Sequence, residues 1–133
     1  MSEHLERMID LAREVRERAY APYSGFKVGA VVRTPEGDLH TGTNVENSSY
    51  PQGWCAEASA ISAMVAAGDQ QIAEVVVLGD GERLCTPCGG CRQKLREFAN
   101  GETPVHICGP EGHRRTVTLG ELMPLAFGPE NLE

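Results

Sequence analysis

The chain has 133 residues, the length of one ordinary domain, and its 41% hydrophobic and 23% charged content carries enough apolar surface to exclude a disordered polypeptide. Its 19 acidic against 12 basic residues give a formal charge of −7. That balance argues against polynucleotides and anionic membrane surfaces as partners, because both attract cationic proteins. A small neutral ligand is compatible with it.

The segment from Met1 to Asp10 is polar and lacks the basic-then-apolar layout of a signal peptide. No run approaches the ~18 apolar residues of a membrane span. The expectation is a cytoplasmic protein with no membrane partner. The spacing of Leu5, Met8, Ile9, Ala12 and Val15 predicts an amphipathic helix from just after Ser2 to near Tyr20, before Pro22. Lys27 to Arg33 reads as a strand. Pro35-Glu36-Gly37-Asp38 is a turn signal, and Leu39 to Val45 is expected to return as the second strand of a hairpin. Asn44 to Trp54 is loop-like.

Cys55 to Ala67 predicts a helix apolar nearly all round, hence one buried on every side, in part by another subunit. Gly68 ends it. The run Val75-Val76-Val77-Leu78, within a strand expected over Ile72 to Leu78, suits a central strand covered on both faces. A further helix fits Gly89 to Ala99. Val105 to Cys108 and Arg114 to Val117 read as short strands around a Gly109-Pro110-Glu111-Gly112 turn. Thr118 with Glu121 forms a capping-box signature, and Pro124 stops the short helix it opens. Leu125 to Glu133 shows no regular pattern. The order predicts an α/β sandwich in one domain, 1–133, with a mixed sheet carrying the two central helices on one face.

Five cysteines (Cys55, Cys85, Cys88, Cys91, Cys108) with no secretory signal argue for metal or redox chemistry rather than a disulfide framework. Cys55-Ala56-Glu57 and Pro87-Cys88-Gly89-Gly90-Cys91 both lie where a loop enters a helix, and a helix N-terminus favours the thiolate, the form that binds zinc. Three thiolates leave one tetrahedral position open, as in catalytic rather than structural zinc sites. Glu57, two residues from its cysteine, is then placed to shuttle protons beside the metal. Zn²⁺ with three thiolates carries net negative charge, so cations are expected nearby, Arg92 first. Two other readings use the same residues: a closed Cys55/Cys85/Cys88/Cys91 structural zinc site, and a redox pair at Cys85-Thr86-Pro87-Cys88. Cys-Ala-Glu followed by Pro-Cys-x-x-Cys is the signature of zinc deaminases in their three-cysteine form.

With these motifs the chain resembles the small, homotetrameric class of cytidine deaminases along nearly its whole length. The resemblance is carried by Tyr23-Ser24-Gly25-Phe26-Lys27-Val28-Gly29-Ala30, by Asn44-Val45-Glu46-Asn47, by the two cysteine clusters continuing into Arg92-Gln93, and by Phe127-Gly128-Pro129-Glu130-Asn131-Leu132. It implies a three-layer α/β sandwich around a central mixed five-stranded sheet. It implies one Zn²⁺ per subunit on Cys55, Cys88 and Cys91, with Glu57 as catalytic proton shuttle. In the same way it implies Phe26 packing on a pyrimidine, Asn44 and Glu46 on ribose hydroxyls, and the Ala56 amide on the base. Ser48, Tyr50 and Phe127 match positions that reach a neighbouring subunit's pocket.

The implied reaction is hydrolytic deamination of cytidine and deoxycytidine in pyrimidine salvage. The alternatives are a deaminase of another aminopyrimidine nucleoside, such as a blasticidin-type antibiotic, and a non-catalytic zinc-stabilised interaction module. One departure stands out. Many relatives carry Arg after the catalytic Glu, where this chain has Ala58, so more of the charge compensation is expected of Arg92. The four histidines fall outside every motif and are expected at surface or strand positions. Cys85 is expected to be a loop thiol near the site, and Cys108 a buried strand residue.

Overall fold

A computed structural model describes residues 2–133. Helix α1 (Glu3–Arg16) begins at Ser2, whose hydroxyl accepts from the Leu5 amide, and ends before the Tyr20 expected from sequence. Strands β1 (Val28–Arg33) and β2 (Leu39–Thr43) form the expected antiparallel hairpin. Helix α2 (Ala56–Ala66), β3 (Glu74–Gly79), α3 (Gly89–Phe98), β4 (Pro104–Gly109), β5 (Gly112–Thr118) and α4 (Leu119–Leu122) follow. The Thr118/Glu121 capping box is formed in full. The tail, read as irregular, closes with a 3₁₀ turn at Pro129–Leu132.

The five strands make one mixed sheet in the order β2-β1-β3-β4-β5, with β3 and β4 parallel and the other pairs antiparallel. Alternation along the strands builds two cores. Val75 and Val77 of β3, with Ala30 and Val32 of β1 and Ile107 of β4, pack under α2 and α3. Val76, Leu78, Val31 and Cys108 face the other way, against Leu5, Met8, Ile9 and Ala12 of α1. The continuous apolar run of β3 is thus a central strand buried on both faces, and the helices lie in two layers about it.

Helix α2 is covered on one side within the chain. It buries Ala56, Glu57, Ala60, Ile61 and Met64, whereas Ala63, Val65, Ala66 and Ala67 are exposed on its outer side. One sheet face covers one side of a helix, and no described element lies over the other. Among the described residues no helix is long and apolar enough to cross a membrane.

Two glycines set the distance between layers. A Cβ at Gly42 of β2 would lie 2.3 Å from the Ala60 nitrogen and 2.4 Å from the Ala56 oxygen of α2. A Cβ at Gly29 of β1 would lie 2.3 Å from the Ala12 oxygen of α1, on the opposite face. Only glycine lets both helix backbones rest this close to the sheet.

Candidate active site

Cys55 and Cys88 are the N-cap residues of α2 and α3, both with extended backbone and with their helices ahead of them. The two helix N-termini therefore converge, and Cys91 adds a third sulfur from the first turn of α3. The three Sγ atoms lie within 4.8 Å of one another, with Cys55 and Cys88 3.8 Å apart. Zn–S bonds of ~2.3 Å in a tetrahedron place two sulfurs about 3.8 Å apart, so the donors fit zinc in kind and spacing. Cys85 is not part of this cluster. The closed four-cysteine arrangement is not formed.

Burial and the sulfur cluster set the ionisation of the site. Cys55 is lowered to about 6, first because the Cys91 thiol hydrogen-bonds to it; burial opposes this, and Cys88 and the nearby Lys94 add to it. Cys91, the donor in that pair, is pushed up correspondingly. Glu57 is 4% exposed. Burial raises its carboxyl to about 7, against its own backbone amide, which favours the carboxylate; negative charge on Cys55 raises it further and Lys94 lowers it. Glu57 is thus poised to exchange protons near neutral pH. Burial also pushes the Cys85 thiol up to about 11.

Cys55, Ala56, Glu57, Cys85 and Cys88 line a cavity of about 550 Å³ together with Asn44, Glu46 and Tyr50. Asn44 accepts from the Val28 amide (2.9 Å) and donates to the Phe26 carbonyl (2.8 Å). Glu46 accepts from the amides of Tyr23 (2.9 Å) and Ser24 (3.2 Å) and from the Ser24 hydroxyl. That hydroxyl bond is the first cause of a lowered Glu46 pKa. Both side chains thus brace the Tyr23–Val28 segment. Phe26, Ser48, Cys91 and Phe127 do not line this cavity. Phe127 is 55% exposed, and its carbonyl accepts from Gln93 (2.9 Å).

Arg92 donates to the carbonyls of Pro87 (2.7 Å) and Leu122 (3.1 Å) and to the Thr86 hydroxyl (3.3 Å), clamping the loop that enters α3. The cation that acts on Cys55 and Glu57 is Lys94, which the sequence reading passed over. Its signal was available, since Lys94 lies one helical turn after Cys91. Trp54 and Cys85, which also line the cavity, went unremarked as binding residues. The Trp54 indole donates to Ser59 (3.0 Å), and its backbone bridges to Val45.

Three convergent thiols beside a buried carboxyl, on the wall of a cavity, define a three-thiolate zinc centre of hydrolytic type. The family model described as the cytidine and deoxycytidylate deaminase zinc-binding region matches residues 2–107. The cytidine deaminase of Sporosarcina psychrophila is 38% identical over 128 residues, 96% of this chain and 94% of the relative. The probable cytidine deaminase of Dictyostelium discoideum is 39% identical over 131 residues, 98% of this chain and 88% of the relative. The crystal structure of cytidine deaminase from Burkholderia pseudomallei superposes with a TM-score of 0.87 at 40% identity, covering 96% of this chain and all of the other. The chain belongs to the cytidine and deoxycytidylate deaminase zinc-binding family.

Proposed function

We propose that this protein hydrolyses cytidine and 2′-deoxycytidine to uridine and 2′-deoxyuridine with release of ammonia. In this reading it serves pyrimidine salvage in the cytoplasm as a homotetramer of 1–133 single-domain subunits, with neither nucleic acid nor membrane as partner. The observation that carries the reaction is the buried Glu57 carboxyl beside the Cys55/Cys88/Cys91 cluster, in a chain similar along its length to proteins named cytidine deaminase.

Cys55, Cys88 and Cys91 would hold Zn²⁺, which when bound would supply the Lewis acidity that activates water for attack on the amino-bearing ring carbon. Glu57 takes one proton from the attacking water and gives it to the neighbouring ring nitrogen, then takes the remaining proton of the new hydroxyl and gives it to the departing amine as the carbonyl forms and the carbon–nitrogen bond breaks. A carboxyl held near 7 serves both directions of transfer. The Ala56 amide, at the first position of α2, has no partner within its own helix and is free for the base. Asn44 keeps a second N–H and Glu46 keeps lone pairs beyond their loop contacts, which suits ribose hydroxyls. Phe26 packs on the pyrimidine. Ser48, Tyr50 and Phe127 are exposed in the single chain, as residues that complete a neighbour's pocket need to be.

Glu57→Ala is expected to retain zinc and to lose turnover by ~10²–10⁴-fold or more, followed by the ultraviolet change from cytidine to uridine. A near-normal rate would refute the mechanism. A panel of cytidine, deoxycytidine, cytosine, CMP and blasticidin fixes the substrate range. If chelation unfolds the protein but no member of the panel is deaminated, the non-catalytic module is the correct reading.

A further inference from the structure

Asp80 follows β3 immediately and lies outside every motif that carries the family resemblance. Its two carboxylate oxygens join three parts of the fold. Oδ2 accepts from the Lys27 amide at 3.0 Å. Oδ1 pairs with the guanidinium of Arg16, the last residue of α1, which is largely buried at 16% side-chain exposure. The backbone around Phe26 is therefore fixed at every step. The Phe26 amide donates to the Ser24 hydroxyl (3.0 Å), the Phe26 carbonyl accepts from Asn44, the Lys27 amide donates to Asp80, and the Val28 amide donates to Asn44. Asp80 is the one carboxylate in this set, and the one member anchored to the layer of the fold that carries no catalytic group.

The Phe26 ring rests on the chain flanking Asp80. A Cβ at Gly79 would lie 3.3 Å from its Cζ and one at Gly81 4.0 Å from its Cε1. The same Gly79 Cβ would lie 2.6 Å from Cys85, whose side chain reaches the cavity. The ring and the thiol thus both crowd the side of Gly79 where a Cβ would stand, and Asp80 ties the chain beside the ring to the backbone that carries it.

We propose that Asp80 is a positioning residue for substrate binding: through the Lys27 amide, and held by Arg16, it fixes the Phe26 ring against the Gly79 and Gly81 backbone, beside Cys85 of the cavity lining. This rests on the reading of Phe26 as the residue that packs on the pyrimidine. Loss of the Asp80 carboxylate lets the Phe26 segment swing from that backbone. The metal cluster and Glu57, on α2 and α3, keep their places. Substrate affinity falls, and the chemical step does not.

The test compares Asp80→Ala, Phe26→Ala and the double variant, each with kcat and KM for cytidine, zinc content and Tm. Asp80→Ala is expected to raise KM about tenfold, with kcat within about twofold and zinc at one per chain, because it removes one well-formed hydrogen bond to a charged group. Phe26→Ala is expected to raise KM at least as much, and the double variant no more than Phe26→Ala alone, the signature of one shared interaction. An unchanged KM in Asp80→Ala, beside a raised KM in Phe26→Ala, overturns the role of Asp80 alone. An unchanged KM in Phe26→Ala overturns the reading of Phe26. Multiplying effects in the double variant overturn the link between them. If Asp80→Ala fails to fold, Arg16→Gln removes the ion pair that holds the Asp80 carboxylate. Its KM is expected to rise severalfold with kcat little changed, and an unchanged KM there refutes the proposal.

Discussion

Substituting Gly42 by Ala tests whether the sheet sets the position of the catalytic helix. The new Cβ would meet the Ala60 nitrogen at 2.3 Å, the Ala56 oxygen at 2.4 Å and the Ser59 Cβ at 2.7 Å, all on α2. Restoring ordinary separations requires α2 to move from the sheet by about 1 Å. Helix α2 carries Ala56 and Glu57 and is capped by Cys55, so the metal ligand and the proton shuttle move together, while Cys88 and Cys91 stay with α3. A misplacement of ~1 Å at reacting groups costs about 10²-fold in rate, and overpacking costs about 1–3 kcal/mol of stability. Gly29→Ala is the matched control. Its Cβ would meet the Ala12 oxygen at the same 2.3 Å, but on α1, across the sheet from the site. The assay is kcat per zinc-loaded chain at saturating cytidine, with Tm by calorimetry. Both variants are expected to lose several degrees of Tm, and only Gly42→Ala is expected to lose about two orders of magnitude in kcat. Equal kcat in the two variants would refute the reasoning.

Three further outcomes are expected. Glu74 is buried, which by itself raises its carboxyl, but hydrogen bonds from Arg33 and His106 and their charges outweigh this and hold it below its ordinary value. Its contribution to stability is therefore full above the unfolded carboxyl's ~4.3 and is lost as pH falls through the lower folded value. Glu74→Gln should flatten the fall of Tm on acidification between about pH 5 and about pH 3, and parallel curves for the two proteins would exclude this role. Lys94→Met should release zinc to a competing chelator about tenfold more readily, an effect of ~1.4 kcal/mol in coupling. Arg92→Ala should chiefly lower Tm by freeing the loop before α3; a larger zinc loss in Arg92→Ala than in Lys94→Met would return charge compensation to Arg92. Chelation should abolish turnover and lower Tm, and readded zinc should restore both; retained turnover in the chelated protein would contradict the metal-dependent reading.

What the sequence disclosed divides along a physical line. The apolar run of β3, the capping box at Thr118 and the three cysteines were legible because periodicity, caps and ligand spacing are local patterns. The brace formed by Asn44 and Glu46 on the Tyr23–Val28 segment was legible only as a motif. Its geometry joins residues 16 to 23 positions apart through a turn that propensity does not describe. The pairs Arg16–Asp80 and Glu74–His106 join residues 64 and 32 positions apart. No local rule distinguishes their members from surface charges. His106 was expected on a strand and lies on one, but its burial against Glu74 depends on the parallel pairing of β3 with β4. Helix α2 was legible as too apolar for one small domain to cover, but only the layer arrangement shows which side the sheet covers.

The two halves of the cysteine cluster come from opposite sides of β3 in the chain. Cys55 precedes the strand, Cys88 follows it, and 33 positions separate them. A bound ion is therefore a reversible cross-link that encloses the central strand of the sheet. Closing a loop of that length costs roughly 3 kcal/mol of chain entropy in a flexible polypeptide, a cost already met once β3 lies between β1 and β4. Metal capture and insertion of the central strand are for this reason one coupled event, and the supply of free zinc becomes a folding variable as well as a catalytic one.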